Sequence, residues 1–206
     1  VYQTYWQRLF SAGAMDFDDL IYNTVRLLDE HEDVREHWQR RFRYVLIDEY
    51  QDTNNLQYQL AALLADGWGN ICVVGDDDQS IYKFRGATIE NILNFEKQYK
   101  NARTIRLEQN YRSTGRILDA ANHVIANNTG RKGKTLWTKA EAGDPLTLYC
   151  ATNENDEARY VATKIMDDFG HGMNFRDHAV LYRMNAQSNQ LEYAFQRNGL
   201  PYRIIG

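Results

Sequence analysis

The stretch VLIDEYQDT at residues 45–53 decides the fold class, because an apolar run typical of a strand ends in two adjacent carboxylates. The stretch ICVVGDDDQS at residues 71–80 repeats this arrangement, with an apolar run that ends in a glycine and three aspartates. Segments with helical periodicity lie between these and later apolar runs. Short strands that alternate with helices of about ten to fifteen residues indicate βαβ units and a parallel sheet. Continuously apolar strands indicate burial on both faces. The sequence therefore predicts an α/β fold.

The predicted elements alternate along most of the chain. The first forty residues are predicted to be helical, with Asp16 as the N-cap of the second helix. Helices are predicted over residues 2–10, 17–28, 33–41, 56–65, 88–99, 114–127, 155–169 and 186–198, and strands over 44–47, 71–74, 104–107, 146–150, 179–182 and 202–205. A boundary between two βα groups is predicted near residues 108–113, where the run EQN is polar.

Composition places the chain among globular proteins and limits its partners. Of the 206 residues, 43% are hydrophobic and 25% are charged, which excludes a disordered chain. No apolar run approaches the about 20 residues that a membrane helix needs, so no membrane contact is predicted. The net charge of −4 means that any nucleic-acid contact must be local. Cys72 and Cys150 lie in apolar runs, which predicts buried free thiols in a reducing, cytoplasmic compartment.

The carboxylate pair after the first strand is a candidate catalytic site. Asp48 ends that strand and is therefore expected at the carboxyl edge of the parallel sheet, where ligands bind. In nucleoside-triphosphate hydrolases an aspartate at this position holds Mg²⁺. The next carboxylate, Glu49, is placed to take a proton from an attacking water. A solvated acidic turn is the alternative interpretation of the pair taken alone.

The loop after the second strand carries polar and aromatic candidates at the same sheet edge. Gln79 is able to hydrogen-bond a phosphate oxygen or the attacking water. Tyr82 and Phe84 alternate with Lys83 and Arg85, and aromatic residues interleaved with cations suit stacking on single-stranded bases. The alternative is that the two aromatic residues belong to the core.

The strings at residues 48–53 and 73–87 resemble motifs II and III of superfamily 1 DNA helicases of the UvrD/PcrA/Rep group. The string LEQNYRS at residues 107–113 resembles motif IV of the same group. Three further segments resemble the usual sequence of the family: DFDDL at residues 16–20, VLYRMNAQS at 180–188 and LPYRIIG at 200–206. The resemblance therefore covers essentially the whole chain.

This resemblance implies RecA-like (P-loop NTPase) lobes with ATP and Mg²⁺ bound in the cleft between two of them. Residues 1–109 would be the C-terminal part of the first lobe with a helical lead-in, and residues 110–206 the N-terminal part of the second lobe. The implied activity is ATP-driven movement on single-stranded DNA, with unwinding at duplex junctions, in the 3′ to 5′ direction and in DNA repair or replication. The resemblance says nothing about protein partners.

The resemblance also implies roles for individual residues. Asp48 would hold Mg²⁺, and Glu49 would activate the hydrolytic water. Gln79 would sense the γ-phosphate and couple it to DNA. The remaining roles are Arg85 near Glu49 and the phosphate end of the site, Tyr111 stacked on the adenine, Arg112 as an arginine finger, and Tyr82 and Phe84 stacked on the tracking strand.

Two positions differ from the usual sequence of the family. Phe84 stands where tryptophan is common, and phenylalanine stacks with less area and without an indole N–H. Asp77 stands where a small residue or proline is frequent, and it adds a negative charge at the nucleotide edge. Residues 133–135, GKT, resemble the end of a phosphate-binding loop. They follow a helix, however, and Asn128 occupies the position of the first glycine, so they are not interpreted as one.

Several questions stay open at the level of sequence. The basic residues Arg131, Lys132, Lys134 and Lys139 suit either a contact with a DNA backbone or a solvated loop. The phosphate-binding loop of the family is expected before residue 1 and its motifs V and VI after residue 206, so the isolated chain is expected to lack ATPase activity. The alternatives to a helicase are the motor part of a helicase–nuclease and a non-catalytic remnant that binds DNA or a partner.

Overall fold

Two units make up the part of the chain that this computed structural model describes, which is residues 1–205. The first unit is Val1–Asp144, and the second begins at Pro145. The string LPYRIIG ends at Gly206, which lies outside the described residues. None of the helices in residues 1–205 combines the length and the apolar character needed to cross a membrane. The lobe boundary after residue 109 stays a prediction.

The first unit begins with three helices, and a fourth follows the first strand. They are α1 (Tyr2–Ser11), α2 (Phe17–Glu30), α3 (Glu32–Arg41) and α4 (Asn55–Ala65). The Asp16 carboxylate accepts a hydrogen bond from the Asp19 N–H at 2.9 Å, and the Asp19 carboxylate accepts one from the Asp16 N–H at 3.2 Å. This reciprocal capping confirms the predicted start of α2. Helix α2 packs against α4, and the buried apolar side chains of the two helices are Val25, Leu28, Ala61 and Ala65.

A parallel pair of strands lies beside these helices. Strand β1 (Val45–Ile47) pairs with β2 (Ile71–Val73), with Val45 opposite Ile71 and Ile47 opposite Val73. Helix α4 connects the two strands, which is the βαβ arrangement that the alternating pattern predicts. Both predicted strands and their parallel pairing are confirmed, so the two strand-end motifs lie at one edge of the sheet.

One face of this sheet is open, which corrects the prediction that its strands are buried on both faces. Leu46 keeps 75% of its surface exposed, and its neighbour Cys72 is also exposed. Cys150 is exposed as well, so the prediction of two buried thiols is wrong. The physical reason is that an apolar residue is buried only when another element covers its face, and residues 1–205 supply no such cover for these side chains.

The rest of the first unit contains two short helices and one longer helix. They are α5 (Glu90–Leu93), α6 (Phe95–Gln98) and α7 (Gly115–Ile125). The single helix predicted over residues 88–99 is broken at Asn94, whose side-chain oxygen accepts a hydrogen bond from the Lys97 ammonium at 2.9 Å. The break allows Phe95 to meet the buried Tyr50 edge-to-face, with 5.8 Å between the ring centroids.

The second unit consists mainly of two helices, α8 (Glu154–Gly170) and α9 (Ser188–Arg197). They pack against each other around Ala162, Phe195 and Leu200, which are buried. Phe175 also packs on this cluster, and it stacks on Phe169 with 4.1 Å between the ring centroids. The helices predicted over residues 155–169 and 186–198 are therefore confirmed, with α9 starting after a short 3-10 turn at Asn185–Gln187.

Four other predicted strands do not form. Residues 104–107, 146–150, 179–182 and 202–205 belong to no strand ladder in the described part of the chain. A single parallel bridge joins Gln109 to Trp137 near the first of them. A strand exists only when a neighbour accepts and donates its backbone hydrogen bonds. An apolar run shows strand preference but does not supply that neighbour, so these predictions are wrong for this structure.

Candidate functional site

The candidate catalytic carboxylates lie in the turn that follows β1. Asp48 and Glu49 are both exposed, and the Glu49 N–H donates to the Asp48 Oδ1 at 2.8 Å. Glu49 has φ +49° and ψ +41°, and it is the only non-glycine residue within residues 1–205 with a positive φ. This left-handed conformation costs about 1–2 kcal/mol for a residue with a Cβ. Such strain is concentrated at functional sites, where the surrounding structure holds it in place.

A buried glutamine connects this turn to the loop after β2. Gln51 is 1% exposed, and its side-chain N–H donates to the Glu49 carboxylate at 2.8 Å. Its side-chain oxygen accepts from the backbone N–H of Asp76 at 3.0 Å. The backbone adds a further connection, because the Tyr50 N–H donates to the carbonyl of Val74 at 3.0 Å. The sequence pattern predicts no role for Gln51. The available signal was a polar residue inside the acidic motif.

Gln79 belongs to the same loop and lies in a short 3-10 turn at Asp77–Gln79. Its side-chain amide donates to the Asp76 Oδ2 at 2.7 Å, and its backbone N–H donates to the Asp76 carbonyl at 2.9 Å. The other carboxylate oxygen, Oδ1, accepts from the Asp78 N–H at 3.0 Å. Gln79 and Glu49 are thus joined through Asp76 and Gln51, which brings the two predicted motifs into one hydrogen-bonded chain.

The three aspartates of this loop form a charged cluster with two basic residues far along the sequence. Arg131 makes a bidentate contact with Asp78, with both N–O distances at 2.6 Å. The Lys134 ammonium bonds to Asp76 and lies 3.6 Å from an oxygen of Asp77 and 3.3 Å from one of Asp78. We call these five residues the charged cluster. The Asp78 side chain is only 12% exposed, so the cluster is largely shielded from water.

The charged cluster changes two interpretations of the sequence. The basic charge of Arg131 and Lys134 is compensated by carboxylates of the same chain, so these two residues form neither a solvated loop nor a free surface for a DNA backbone. The Asp77 carboxylate is also paired, because it accepts from the backbone N–H of Lys132 at 2.6 Å and lies 3.6 Å from the Lys134 ammonium. Lys139 remains exposed. The GKT segment at residues 133–135 thus supplies a cation to the loop after β2.

The charged cluster shifts the protonation equilibria of its members. Burial by itself would raise the pKa of Asp76, but hydrogen bonds from Lys134 and Gln79 outweigh this and leave the pKa below its ordinary value. Burial would likewise lower the pKa of Lys134, but its hydrogen bond to Asp76 and the nearby carboxylates raise that pKa above its ordinary value. Both net shifts favour the charged forms that make the ion pair.

We expect this ion pair to stabilise the folded chain near neutral pH and to lose its contribution at both extremes. The folded pKa of Asp76 is lowered, so its contribution is complete above the unfolded pKa and is lost as the pH falls through the folded value. The folded pKa of Lys134 is raised, so its contribution is complete below the unfolded pKa and is lost as the pH rises through the folded value.

The measurement is urea unfolding of the wild type and Lys134→Met at about pH 3, 7 and 11, which bracket the ordinary pKa values of the two groups. The difference in unfolding free energy between the two proteins should be largest near neutral pH. A difference that does not change with pH would contradict this account, because the pair would then not act through its charges.

The predicted DNA-stacking residues lie on the surface. Tyr82 is 38% exposed and Phe84 is 69% exposed, with 5.9 Å between their ring centroids. The Arg85 guanidinium lies over both rings, at 5.3 Å from the Tyr82 centroid and 5.5 Å from that of Phe84. The alternative that these rings belong to the core is therefore wrong. In the described residues Arg85 makes no ion pair with Glu49, although the resemblance implies that the two are close.

The predicted second-lobe residues lie in a separate loop of the first unit. Tyr111 is 86% exposed, and Arg112 is also exposed. The Asn110 side-chain oxygen accepts from the backbone N–H groups of Arg112 and Ser113 at 2.9 and 2.8 Å, which fixes the backbone of this loop. Within residues 1–205, neither Tyr111 nor Arg112 shares a side-chain hydrogen bond or ion pair with Glu49 or Gln79.

The residues after β1 fit a magnesium ion. The Asp48 carboxylate is exposed at the carboxyl end of the strand, and Mg²⁺ prefers oxygen ligands from one or two carboxylates together with water and phosphate. The carboxylates of Asp76, Asp77 and Asp78 also approach one another within 4.8 Å. They already surround the Lys134 ammonium, however, so they present no free set of ligands for a cation.

Two protein-family models match successive parts of the chain. The UvrD/REP helicase N-terminal domain matches residues 1–100, and the UvrD-like helicase C-terminal domain matches residues 105–206. The chain is 51% identical over all 206 residues to the ATP-dependent DNA helicase PcrA of Staphylococcus aureus (strain COL), and 50% identical to that of Staphylococcus epidermidis. In both comparisons the chain spans 28% of the length of the relative.

Proposed function

Because the chain belongs to the UvrD/Rep family of superfamily 1 helicases, we propose that it is a portion of an ATP-dependent DNA helicase. The observation that carries the proposal is the hydrogen-bonded chain from Glu49 through Gln51 and Asp76 to Gln79. It links a carboxylate suited to water activation with an amide suited to phosphate sensing at one edge of a parallel sheet. Coupling of ATP hydrolysis to movement requires such a connection between the two strand ends.

The hydrolytic roles follow from the chemistry of these groups. Asp48 would bind Mg²⁺, which polarises the phosphate oxygens and neutralises the charge that develops on them. Glu49 would accept the proton of the attacking water, and its exposed carboxylate leaves room for that water. Gln79 would donate to the γ-phosphate by turning its side-chain amide from the Asp76 carboxylate toward the nucleotide. When Gln79 exchanges the Asp76 carboxylate for the γ-phosphate as its acceptor, the loop would lose one internal hydrogen bond, so its conformation would depend on the phosphate.

Two further roles belong to the exposed loop after Asn110. Tyr111 would stack on the adenine, since most of its ring is available to a ligand. Arg112 would act as the arginine finger, because a planar guanidinium matches the geometry of phosphate better than an ammonium does. Both roles require the loop to approach the end of β1, which agrees with a site that is completed only when two lobes close.

We propose further that residues 1–109 and 110–206 are parts of two RecA-like lobes. The βαβ unit of β1, α4 and β2 is the element from which such a lobe is built. The open sheet face at Leu46 and Cys72 supports the proposal, because a RecA-like sheet has layers on both faces. The proposed parent protein would supply the missing layer.

Tyr82 and Phe84 would bind single-stranded DNA, and Arg85, beside them, would serve the phosphate end of the nucleotide site once the lobes close. Two tilted exposed rings provide stacking surfaces for bases. Because stacking accepts every base, the surface suits a motor that moves along DNA regardless of sequence. It would also work at the single-stranded side of a duplex junction.

The experiment is DNA-stimulated ATP hydrolysis by the full-length protein that carries this chain. Single-stranded DNA should stimulate turnover, and replacing both Tyr82 and Phe84 with alanine should raise the DNA concentration for half-maximal stimulation about 10- to 100-fold, since stacking contributes about 1–3 kcal/mol per base. Tyr193→Ala, at an exposed tyrosine of α9, is the matched control and should change little. Turnover that does not respond to DNA would refute the proposed function.

A further inference from the structure

We propose that Gln51 is a positioning residue that holds the Glu49 carboxylate in its working orientation and couples it to the loop at residues 75–79. The inference rests on the proposed function, in which Glu49 is the general base. Gln51 does not face solvent, and we assign it no contact with nucleotide or DNA. Its action would be exerted through Glu49.

The hydrogen bonds of Gln51 define which end of its amide faces which partner. The backbone N–H of Asp76 is a donor, so the atom that faces it at 3.0 Å must be the side-chain oxygen. The side-chain nitrogen therefore faces the carboxylates, at 2.8 Å from Glu49 and 3.4 Å from Asp52. The reverse orientation would place oxygen against carboxylate and N–H against N–H. The network thus has one satisfactory arrangement, and that arrangement donates to Glu49.

Glu49 needs such a partner because, within residues 1–205, the bond from Gln51 is the only hydrogen bond to its carboxylate. Its carboxylate is exposed, and a glutamate at the surface samples several rotamers. Its backbone is in the left-handed region, which a residue with a Cβ adopts only when its surroundings impose it. Gln51, which is buried two residues later, provides an anchor to both the turn and the carboxylate.

The loop after β2 is shaped to receive Gln51. A Cβ at Gly75 would lie 2.6 Å from the Gln51 side-chain oxygen and 3.2 Å from the backbone nitrogen of Tyr50, so any larger residue would push the loop away. The hydroxyl of Ser80 donates to the backbone carbonyl of Gln51 at 3.4 Å. The loop therefore contacts both the side chain and the main chain of Gln51.

The same contacts make Gln51 a coupling element. Asp76 receives the Gln79 amide on its carboxylate and gives its own N–H to Gln51. If Gln79 leaves Asp76 for a phosphate, the loop shifts, and the Gln51 amide is the group through which that shift reaches Glu49. The orientation of the base would then depend on whether Gln79 contacts Asp76 or the phosphate.

The test compares steady-state and single-turnover ATP hydrolysis of the full-length protein in four variants. Gln51→Met removes all three side-chain hydrogen bonds with little change in volume. Gln51→Glu keeps the acceptor for the Asp76 N–H and removes the donor to Glu49. Glu49→Gln is the reference for loss of the base, and the double variant Glu49→Gln with Gln51→Met completes a cycle. Gln59→Met, at an exposed position of α4, is the matched control.

We expect Gln51→Met and Gln51→Glu to lower kcat about 10- to 100-fold with the KM for ATP within about twofold, because misplacement of a catalytic group by about 1 Å costs this much. In the Glu49→Gln background, Gln51→Met should have almost no further effect, since the group it positions is already gone. Gln59→Met should match the wild type.

Three outcomes would overturn the inference. The first is wild-type kcat in both Gln51 variants while Glu49→Gln is inactive, which leaves the proposed function standing. The second is an equal fractional loss from Gln51→Met with and without Glu49, which indicates a structural role only. The third is a higher KM for ATP with an unchanged kcat in the Gln51 variants, which indicates a role in nucleotide binding. If Glu49→Gln itself retains full turnover, the proposed function fails instead.

Discussion

Replacing Glu49 with glutamine is expected to lower the kcat of DNA-stimulated ATP hydrolysis about 10²- to 10⁴-fold in the full-length protein. The substitution keeps the size of the side chain and removes its ability to take a proton. The Glu49 side chain is exposed, and the side-chain oxygen of a glutamine at this position can still accept the hydrogen bond from Gln51. The turn after β1 therefore does not depend on the negative charge for its folding. The KM for ATP and the affinity for single-stranded DNA should therefore stay within a few-fold of the wild type.

The control for this experiment is Glu157→Gln, the same chemical change at an exposed position of α8. Its turnover should equal that of the wild type. Binding of a fluorescent ATP analogue should be preserved in both variants, which separates loss of chemistry from loss of the nucleotide. Turnover by Glu49→Gln within tenfold of the wild type would remove Glu49 from the role of base.

Replacing Lys134 with methionine is expected to destabilise the folded chain by about 2–3 kcal/mol. The substitution leaves three carboxylates in a largely shielded loop with one guanidinium, which pairs with Asp78 alone. Removing one partner from a fully buried pair costs about 3–5 kcal/mol. The cost expected here is smaller than that because water reaches the edge of the cluster and screens its charges. For a chain of this length the midpoint of thermal unfolding should fall by about 5–10 °C.

The measurement is thermal and urea unfolding of the 206-residue chain, followed by tryptophan fluorescence. Lys139→Met removes an equal charge from an exposed position five residues later and should shift the midpoint by less than about 1 °C. If the two variants unfold together, the charged cluster is a surface feature without energetic weight, and its apparent link between residues 76–78 and 131–134 carries no structural role.

Local patterns predicted the helices and the central strands well. Asp16 and the apolar spacing after it define α2 because a capping box and a helical face involve residues only three or four positions apart. The two apolar runs at residues 45–47 and 71–73 form the parallel pair because each completes the backbone hydrogen bonds of the other. The intervening helix α4 is the crossover connection that two parallel neighbouring strands require.

Local patterns failed where a distant partner decides the outcome. The runs at residues 104–107 and 146–150 resemble the two true strands in composition, but no neighbour completes their hydrogen bonds within residues 1–205. The apolar setting of Cys72 predicts burial, but burial depends on whether another layer covers that sheet face. In both cases the missing information concerns a surface supplied by another part of the fold.

The candidate site shows the same division. By itself the sequence determined the two strand-end motifs, the carboxylate pair, the aromatic pair and the family, since each is a contiguous string of residues with its own chemistry. Only the tertiary structure decided that Gln51 joins Glu49 to Asp76, and that Lys134 neutralises aspartates more than fifty residues away. The physical reason is that hydrogen bonds and ion pairs act over a few ångströms in space. The parallel pairing of β1 and β2 brings Gln51 within that range of Asp76, and the path of the chain through residues 131–134 does the same for Lys134.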